Sequence, residues 1–294
     1  VSWIVRFIVF NKKTDPRKLD PSHIPSFLEY LVIKRNVSSA TQNQALCALV
    51  FLYKQVLKVN FDDFEEYARS KKPKRLPVVL TKSEIKILIK SIQNNTHKLM
   101  VSLLYGCGLR LMECIRLRIQ DVDFEYNQIM IRCSKGKKDR IVPLPKKLKD
   151  DIKKQINTVS EIHTKDIIDG LGKVFLPDAI GRKYKNAAKE LRWRYLFPGA
   201  NISEDPRSNR KGRHHLHERC LQRTIKRTLD KTNIMKRVTS YTMRHYFATH
   251  LLEAGYDIRT VQELLGHVDV STTMIYTHVL NKPGVSVNSP LDIL

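Results

Sequence analysis

The chain has 294 residues, 42% of them hydrophobic, and a formal net charge of +24. That length can bury two cores, and that charge exceeds what solubility needs, so the expected partner is a polyanion, nucleic acid before a membrane surface. No run approaches the roughly 18 apolar residues of a spanning helix, no small-residue cleavage site follows the apolar opening stretch, and five scattered cysteines with no C-x-x-C pair point to reduced thiols in a cytoplasmic compartment.

Residues 1–69 read as a wholly helical domain. The stretch to Phe10 looks like a helix entered midway, so the natural N-terminus is expected upstream. A Pro-bounded helix follows over 24–34, and a third over 39–57, where Ala45, Leu46, Leu49, Leu52, Tyr53 and Val56 recur at helical spacing and read as core. The polar run Thr41, Gln42, Asn43 and Gln44 at the start of that helix suits groove and phosphate contacts, with plain solvation as the alternative. Residues 70–79 read as a linker. Lys71, Lys72, Lys74 and Arg75 crowd around Pro73 and ahead of Pro77, too charged and proline-rich for a helix interior, and fit to lie along a phosphate backbone in a two-domain clamp.

The second domain is expected over 80–294. Thr81 can cap a helix, with Glu84 three residues on completing a capping box. An apolar helix spans 97–105, Gly106 and Gly108 break it, and another begins at Leu109. Arg110 then lies in a first turn, where free N–H groups and the helix dipole favour an anion and a guanidinium adds bidentate phosphate contact. A surface pair with Glu113 is the alternative, and Glu113 reads as an orienting partner rather than a catalyst. Residues 128–133 and 139–144 have strand composition, with Ser134-Lys135-Gly136-Lys137-Lys138 as the hairpin loop between them.

Further on, Trp193 with Tyr195 offers flat apolar surfaces, and His214 and His215 with Pro206 nearby offer others, where a stacked nucleic-acid base would be worth roughly 1 to 3 kcal/mol. The alternatives are core packing of Trp193, Tyr195 and Phe197, and a metal held by the histidines with His217. No cysteine or carboxylate spacing supports the metal, and none is assigned. Residues 212–228 read as a basic helix whose Arg219, Arg223, Lys226 and Arg227 follow a phosphate strand, with a plain solvated face as the alternative. Three short helices separated by two glycines are expected over 240–278. Phe247, Leu251 and Ala254 mark the buried face of the first, ended by Gly255. Ile258, Val261, Leu264 and Leu265 mark the second, stopped by Gly266 with His267 after it. Ser271 or Thr272 caps a third that carries Met274, Ile275 and Tyr276. Arg244, His267 and Tyr276 fall at places where three elements could converge on one anion.

Arg244-His245-x-Phe247-Ala248-Thr249-His250-Leu251-Leu252, then Leu264-Leu265-Gly266-His267 and Tyr276-Thr277-His278, resemble the catalytic boxes of the tyrosine recombinases. The resemblance implies a mainly α, two-domain fold with a small β-hairpin or sheet: a helical, SAM-like core-binding domain and a mixed α+β catalytic domain. It implies that Arg110, Arg244 and His267 hold a DNA phosphodiester while Tyr276 attacks phosphorus, giving a 3′-phosphotyrosine link and a free 5′-hydroxyl. S-K-G-K-K-D-R-I-V-P-L matches the family's hairpin with Lys135 in register as the acid that protonates the leaving 5′-oxygen; Lys137 or Lys138 is the alternative, and Lys137 otherwise contacts DNA. Tyr241 stands where the family usually has histidine, three residues before the second arginine. Its phenol can donate a hydrogen bond to phosphate, but a pKa near 10 makes it a poor proton acceptor. No cofactor and no metal is implied.

The segment from about 174 to 216 resembles the insertion of the integron integrases. Those enzymes insert and excise gene cassettes, recombining a bottom strand folded as an imperfect hairpin with protruding unpaired bases. The implied partners are that folded strand, a duplex attachment site and further copies of the chain, four in a synaptic complex. The apolar tail Pro290-Leu291-Asp292-Ile293-Leu294 would pack on a neighbouring copy. No membrane is implied, and the location is the bacterial cytoplasm. Two rivals stand: a lapsed enzyme that only binds DNA, suggested by Tyr241, and a phage- or Xer-type recombinase acting on duplex sites.

Overall fold

In the computed structural model of the chain, residues 1–19, 22–59, 79–132, 139–176, 178–184, 186–204 and 211–277 are described. Lys71, Lys72, Lys74, Arg75, Lys135, Lys137, Lys138, Pro206 and the apolar tail lie outside them. The chain divides into two compact units, Val1–Leu76 and Pro77–Leu294.

The first unit packs α1 (Ser2–Phe10), α2 (His23–Ile33) and α3 (Ser39–Phe51), which runs on into a π-helical turn, Leu52–Leu57. Ser38 caps α3, its hydroxyl accepting from the Thr41 N–H at 3.3 Å. Phe7 meets Phe27 and Tyr53 edge-on, with centroids 5.4 and 6.4 Å away. Ala45, Leu46, Leu49, Leu52 and Tyr53 are buried, as their spacing predicts. Val56 is 58% exposed instead, because the wider i→i+5 turn rotates it out of the helical register.

The second unit opens with α4 (Lys82–Ser91), which starts at the expected capping box: Thr81 Oγ1 accepts from Glu84 N–H at 3.2 Å and Glu84 Oε2 from Thr81 N–H at 2.7 Å. α5 (Asn95–Gly106) and α6 (Leu111–Ile115) follow. Next comes an antiparallel sheet of β1 (Val122–Asp123), β2 (Gln128–Ile131) and β3 (Arg140–Pro143), in that spatial order. Ile129, Ile131 and Val142 point into the core, while Ile141 faces out, the period-2 alternation of a half-buried sheet.

Sequence periodicity had not marked α7 (Lys149–Ile168), a 20-residue helix after the sheet. Beyond it, α8 (Asp178–Lys183) leads to a ribbon of β4 (Pro198–Glu204) and β5 (Lys211–His215), then α9 (Glu218–Leu229). The basic helix expected over 212–228 therefore begins only at Glu218; His214 and His215 lie on a strand, and β-pairing uses the backbone that a helix would have needed. On α9, Arg219, Arg223, Lys226 and Arg227 are exposed while Leu221, Ile225 and Thr228 are buried.

α10 (Ser240–Glu253), α11 (Ile258–Leu265) and α12 (Ser271–Met274) complete the described chain. Ala254 is exposed, contrary to the expected stripe, and every residue from Met243 to His250 is buried. α10 is a central helix enclosed on all sides. Met243 and Tyr246 join a core built with Leu103 and Leu104 of α5, Ile115 of α6, Ile129 and Val142 of the sheet, and Leu221 of α9. The fold is mainly α with two small antiparallel sheets, the class expected from sequence. Among the described residues no helix is long and apolar enough to cross a membrane.

Candidate active site

Two left-handed glycines shape the site. Gly108 has φ +61°, and a Cβ there would stand 2.4 Å from Cδ1 of Phe247, so only glycine lets the start of α6 approach α10 this closely. That approach lets the Gly108 carbonyl accept from Arg244 Nη1 at 2.7 Å. Gly266, φ +63°, ends α11, and the last carbonyls of that helix turn to the same place. Leu265 O accepts from Arg244 Nη2, and Gly266 O lies 3.4 Å from Arg110 Nη2.

Arg110 is the N-cap of α6 rather than a residue of its first turn. Glu113 Oε2 takes its backbone N–H at 2.8 Å and Oε1 its Nη1 at 2.7 Å, so the orienting pair with Glu113 is formed and this N–H is not open to an anion. Arg140 grips the same carboxylate with Nη1 and Nη2 at 2.9 and 2.7 Å. Arg244 stands 3.9 Å from it. Burial alone would raise the Glu113 carboxyl, but Arg140 and then Arg110 hold it down at about 2.

On the far side, Asp269 Oδ1 accepts from the Ser271 N–H at 2.8 Å, so α12 starts earlier than a Ser271 or Thr272 cap would place it. It also ends at Met274, and Tyr276 lies in the turn beyond, its N–H on Thr273 O at 3.0 Å, not inside a third helix. The buried Thr273 hydroxyl pairs with His267 Nδ1 at 2.9 Å. Tyr276 is only 2% exposed and packs with Phe247, Val261 and Leu265.

The electrostatics follow from this burial. The Tyr276 phenol is pushed well above the ordinary tyrosine value by burial and then by Tyr241, and Arg244 and Arg110 offset only part of the rise. The arginines draw the phenol towards phenolate, and desolvation outweighs them. His267 is pushed down to about 4 by burial, Arg244, Arg110 and Arg140, and is a neutral imidazole at pH 7. Arg244 falls to about 10 through burial and Arg110, and stays charged.

Tyr241 is 64% exposed on the first turn of α10. Its ring meets His245 at 4.3 Å and 89°, and His245 in turn lies 5.2 Å from the ring of Tyr276. His245 stands beside Arg244 in the quoted box, where the sequence assigns it no role. It is 8% exposed, burial and Arg244 push it down to about 4, and its Nδ1 has no hydrogen-bond partner among the described residues. The structure thus brings together Arg110, Tyr241, Arg244, His267 and Tyr276, adding Glu113, Arg140 and His245.

Thr41 is drawn into the Ser38 cap, and Gln44 Oε1 accepts from Trp3 Nε1 at 3.4 Å; Gln42 and Asn43 are half-buried. Tyr195 is buried beneath the Arg118 guanidinium, 4.6 Å from its ring, which removes it as a stacking surface. Trp193 is half-buried beside the same guanidinium, whose Nη1 donates to the Trp193 carbonyl. His214 is exposed, His215 half-buried, and their rings lie 4.0 Å apart.

The model described as "Phage integrase family" matches residues 78–282, and that described as "Phage integrase, N-terminal SAM-like domain" matches residues 1–63. An Escherichia coli protein named integrase/recombinase is 44% identical over 294 residues, covering 100% of this chain and 87% of its own. Tyrosine recombinase XerA of Pyrococcus horikoshii is 36% identical over 218 residues, 74% of this chain and 62% of its own. The Tn1549 transposon integrase in complex with transposon right end DNA shares the fold, with a TM-score of 0.63 at 16% identity over 99% of this chain and 90% of that one. The chain belongs to the phage integrase family, the tyrosine recombinases.

Proposed function

We propose that this recombinase inserts and excises integron gene cassettes, using Tyr276 as nucleophile on a phosphate held by Arg110, Arg244 and His267. The observation that carries the recombinase chemistry is a buried phenol beside two guanidiniums and a neutral imidazole, on a chain of net charge +24; the cassette substrate rests on the resemblance of residues 174–216. Tyr276 Oη bonds to phosphorus as the bond to the 5′-oxygen breaks, and Lys135 gives that oxygen its proton. The phosphotyrosine conserves the bond energy, so an incoming 5′-hydroxyl can reverse the step. Because burial keeps Tyr276 protonated at neutral pH, its proton passes to water as the O–P bond forms, and the charge building on the phosphate oxygens falls to Arg110 and Arg244.

The folded cassette strand is bound through Thr41, Gln42, Asn43 and Gln44, the linker residues Lys71, Lys72, Lys74 and Arg75, Lys137 at the hairpin, and Arg223. Its extrahelical bases meet Trp193, Pro206, His214 and His215. The exposed His214 and half-buried Trp193 support that use. Four copies join in the synaptic complex, in the bacterial cytoplasm where cassette DNA resides. A recombinase acting on duplex sites is the second reading, favoured by the similarity to XerA over 74% of the chain.

The test is covalent adduct formation on nicked suicide oligonucleotides, one folded from the bottom strand of a cassette site and one fully paired with the same sequence. Adduct mainly on the folded strand is expected. Equal or greater adduct on the duplex would establish the second reading, and DNA binding without adduct on either would mark a lapsed enzyme.

A further inference from the structure

Four hydrogen bonds saturate the Glu113 carboxylate: two from Arg110 at 2.8 and 2.7 Å and two from Arg140 at 2.9 and 2.7 Å. Arg140 also donates from Nε to Leu264 O at 2.8 Å, and its Cδ would lie 2.9 Å from a Cβ at Gly266. One buried guanidinium on β3 thus touches both the carboxylate that orients Arg110 and the helix end that precedes His267. We propose that Arg140 is a positioning residue for the phosphate pocket: by filling both oxygens of Glu113 beside Arg110 and bracing the end of α11, it leaves the remaining donors of Arg110 and Arg244 to an incoming phosphate.

The charges give the reason. Arg110, Arg140 and Arg244 surround the single carboxylate of Glu113, leaving a surplus of two positive charges. Without Arg140 the surplus is one, and Glu113, left with two unmet acceptor sites in a buried place, competes with phosphate for the guanidiniums it already touches. Only a planar fork spans both carboxylate oxygens and a carbonyl behind it, so a lysine at 140 keeps the charge and loses the grip.

This inference rests on the recombinase reading for its rate assay and not for its titration. With the full chain and the folded suicide strand as probe, Arg140→Gln is expected to slow single-turnover adduct formation about a hundredfold, the scale of a misplaced reacting group. DNA affinity should stay within about threefold, because the guanidinium is spent inside the protein. Adding Glu113→Gln to Arg140→Gln should recover about tenfold of the rate, whereas Glu113→Gln alone should slow it. If Arg140→Gln unfolds, Arg140→Lys replaces it with the same expected loss.

The titration reads His267 by NMR on the DNA-free protein. His267 is faced by Arg244 and His245 from α10, Arg110 at the head of α6, Arg140 from β3 and the Thr273 hydroxyl from α12. Its midpoint, held low in part by Arg140, should rise in Arg140→Gln. An unchanged midpoint, a wild-type rate in Arg140→Gln, or an equal cost of Glu113→Gln in both backgrounds would overturn the proposal. A wild-type chain that forms no adduct on the probe would count against the proposed function alone, and the titration would still judge Arg140.

Discussion

A phenol buried as deeply as Tyr276 holds its proton at neutral pH, so its reactivity depends on neighbours that act as phosphate arrives. Tyr276→Phe deletes one oxygen and leaves the basic surface intact; DNA affinity should persist and the covalent adduct vanish, and gel detection of an adduct in that variant would refute the assignment. Tyr241→His exchanges a phenol for an imidazole, a group whose ordinary value near 6.5 suits proton acceptance at neutral pH. General base help is worth about 100-fold to 10,000-fold. The expected gain at pH 7 falls below that range, because Tyr241 is 64% exposed and His245 already brings an imidazole between it and Tyr276, and it should shrink at pH 9. Single-turnover rates decide this; no change would mean that Tyr241 only donates a hydrogen bond. Arg110, Arg244, His267 and Tyr276 were legible because motif spacing in the chain marks them. Arg140 and His245 were not, since their importance lies in partners 27 residues away and in burial.

Between elements, the close approach of α6 to α10 hangs on Gly108. Gly108→Ala forces a β-carbon into Phe247 at a positive φ, and should cost about 2 to 4 kcal/mol in denaturant unfolding. Gly255 has φ +87° but open space around it, so Gly255→Ala should cost only about 1 to 2 kcal/mol. Equal losses would show that backbone strain, not the packing at Phe247, limits the fold. The capping box at Thr81 and the strands β2 and β3 were readable because a cap and a strand composition are local patterns. The apolar stripe expected on α10 gives way to a helix that buries polar residues as well: His250 pairs with the Tyr105 hydroxyl at 2.9 Å and with Leu80 O at 3.0 Å, while His245 Nδ1 and Thr249 Oγ1 are buried with no hydrogen-bond partner among the described residues. α7 was missed for a related reason. Its buried face carries Gln155, His163 and Asp166 among Ile152 and Val159, which blurs the apolar period.

For the whole molecule, the net charge of +24 makes binding salt-dependent, with a slope near −0.9 per duplex phosphate contact. Replacing Arg219, Arg223, Lys226 and Arg227 of α9 by glutamine should flatten a plot of log affinity against log salt by roughly 0.9 for each residue that touches phosphate. An unaltered slope would return α9 to a solvated face. Stability should respond to acid. His245 and His267 fold at about 4 against an ordinary 6.5, so the unfolded chain binds more protons between those values. Their contribution is complete above pH 6.5 and is lost as pH falls towards 4, by at most about 1.4 kcal/mol per pH unit for each. A melting temperature that stays flat from pH 7 to pH 4.5 would contradict this. The ribbon of β4 and β5 is held to α7 by charge: Asp166, its side chain 3% exposed, accepts from Arg194 and, at 2.8 Å, from Arg213. A lineage that gained or shed the segment around 174–216 could not have done so by splicing a loop alone. Its loss would take Arg194 and Arg213 from Asp166, and a carboxylate left buried without them carries a penalty of about 3 to 5 kcal/mol, so a relative lacking the segment should carry an uncharged residue at position 166.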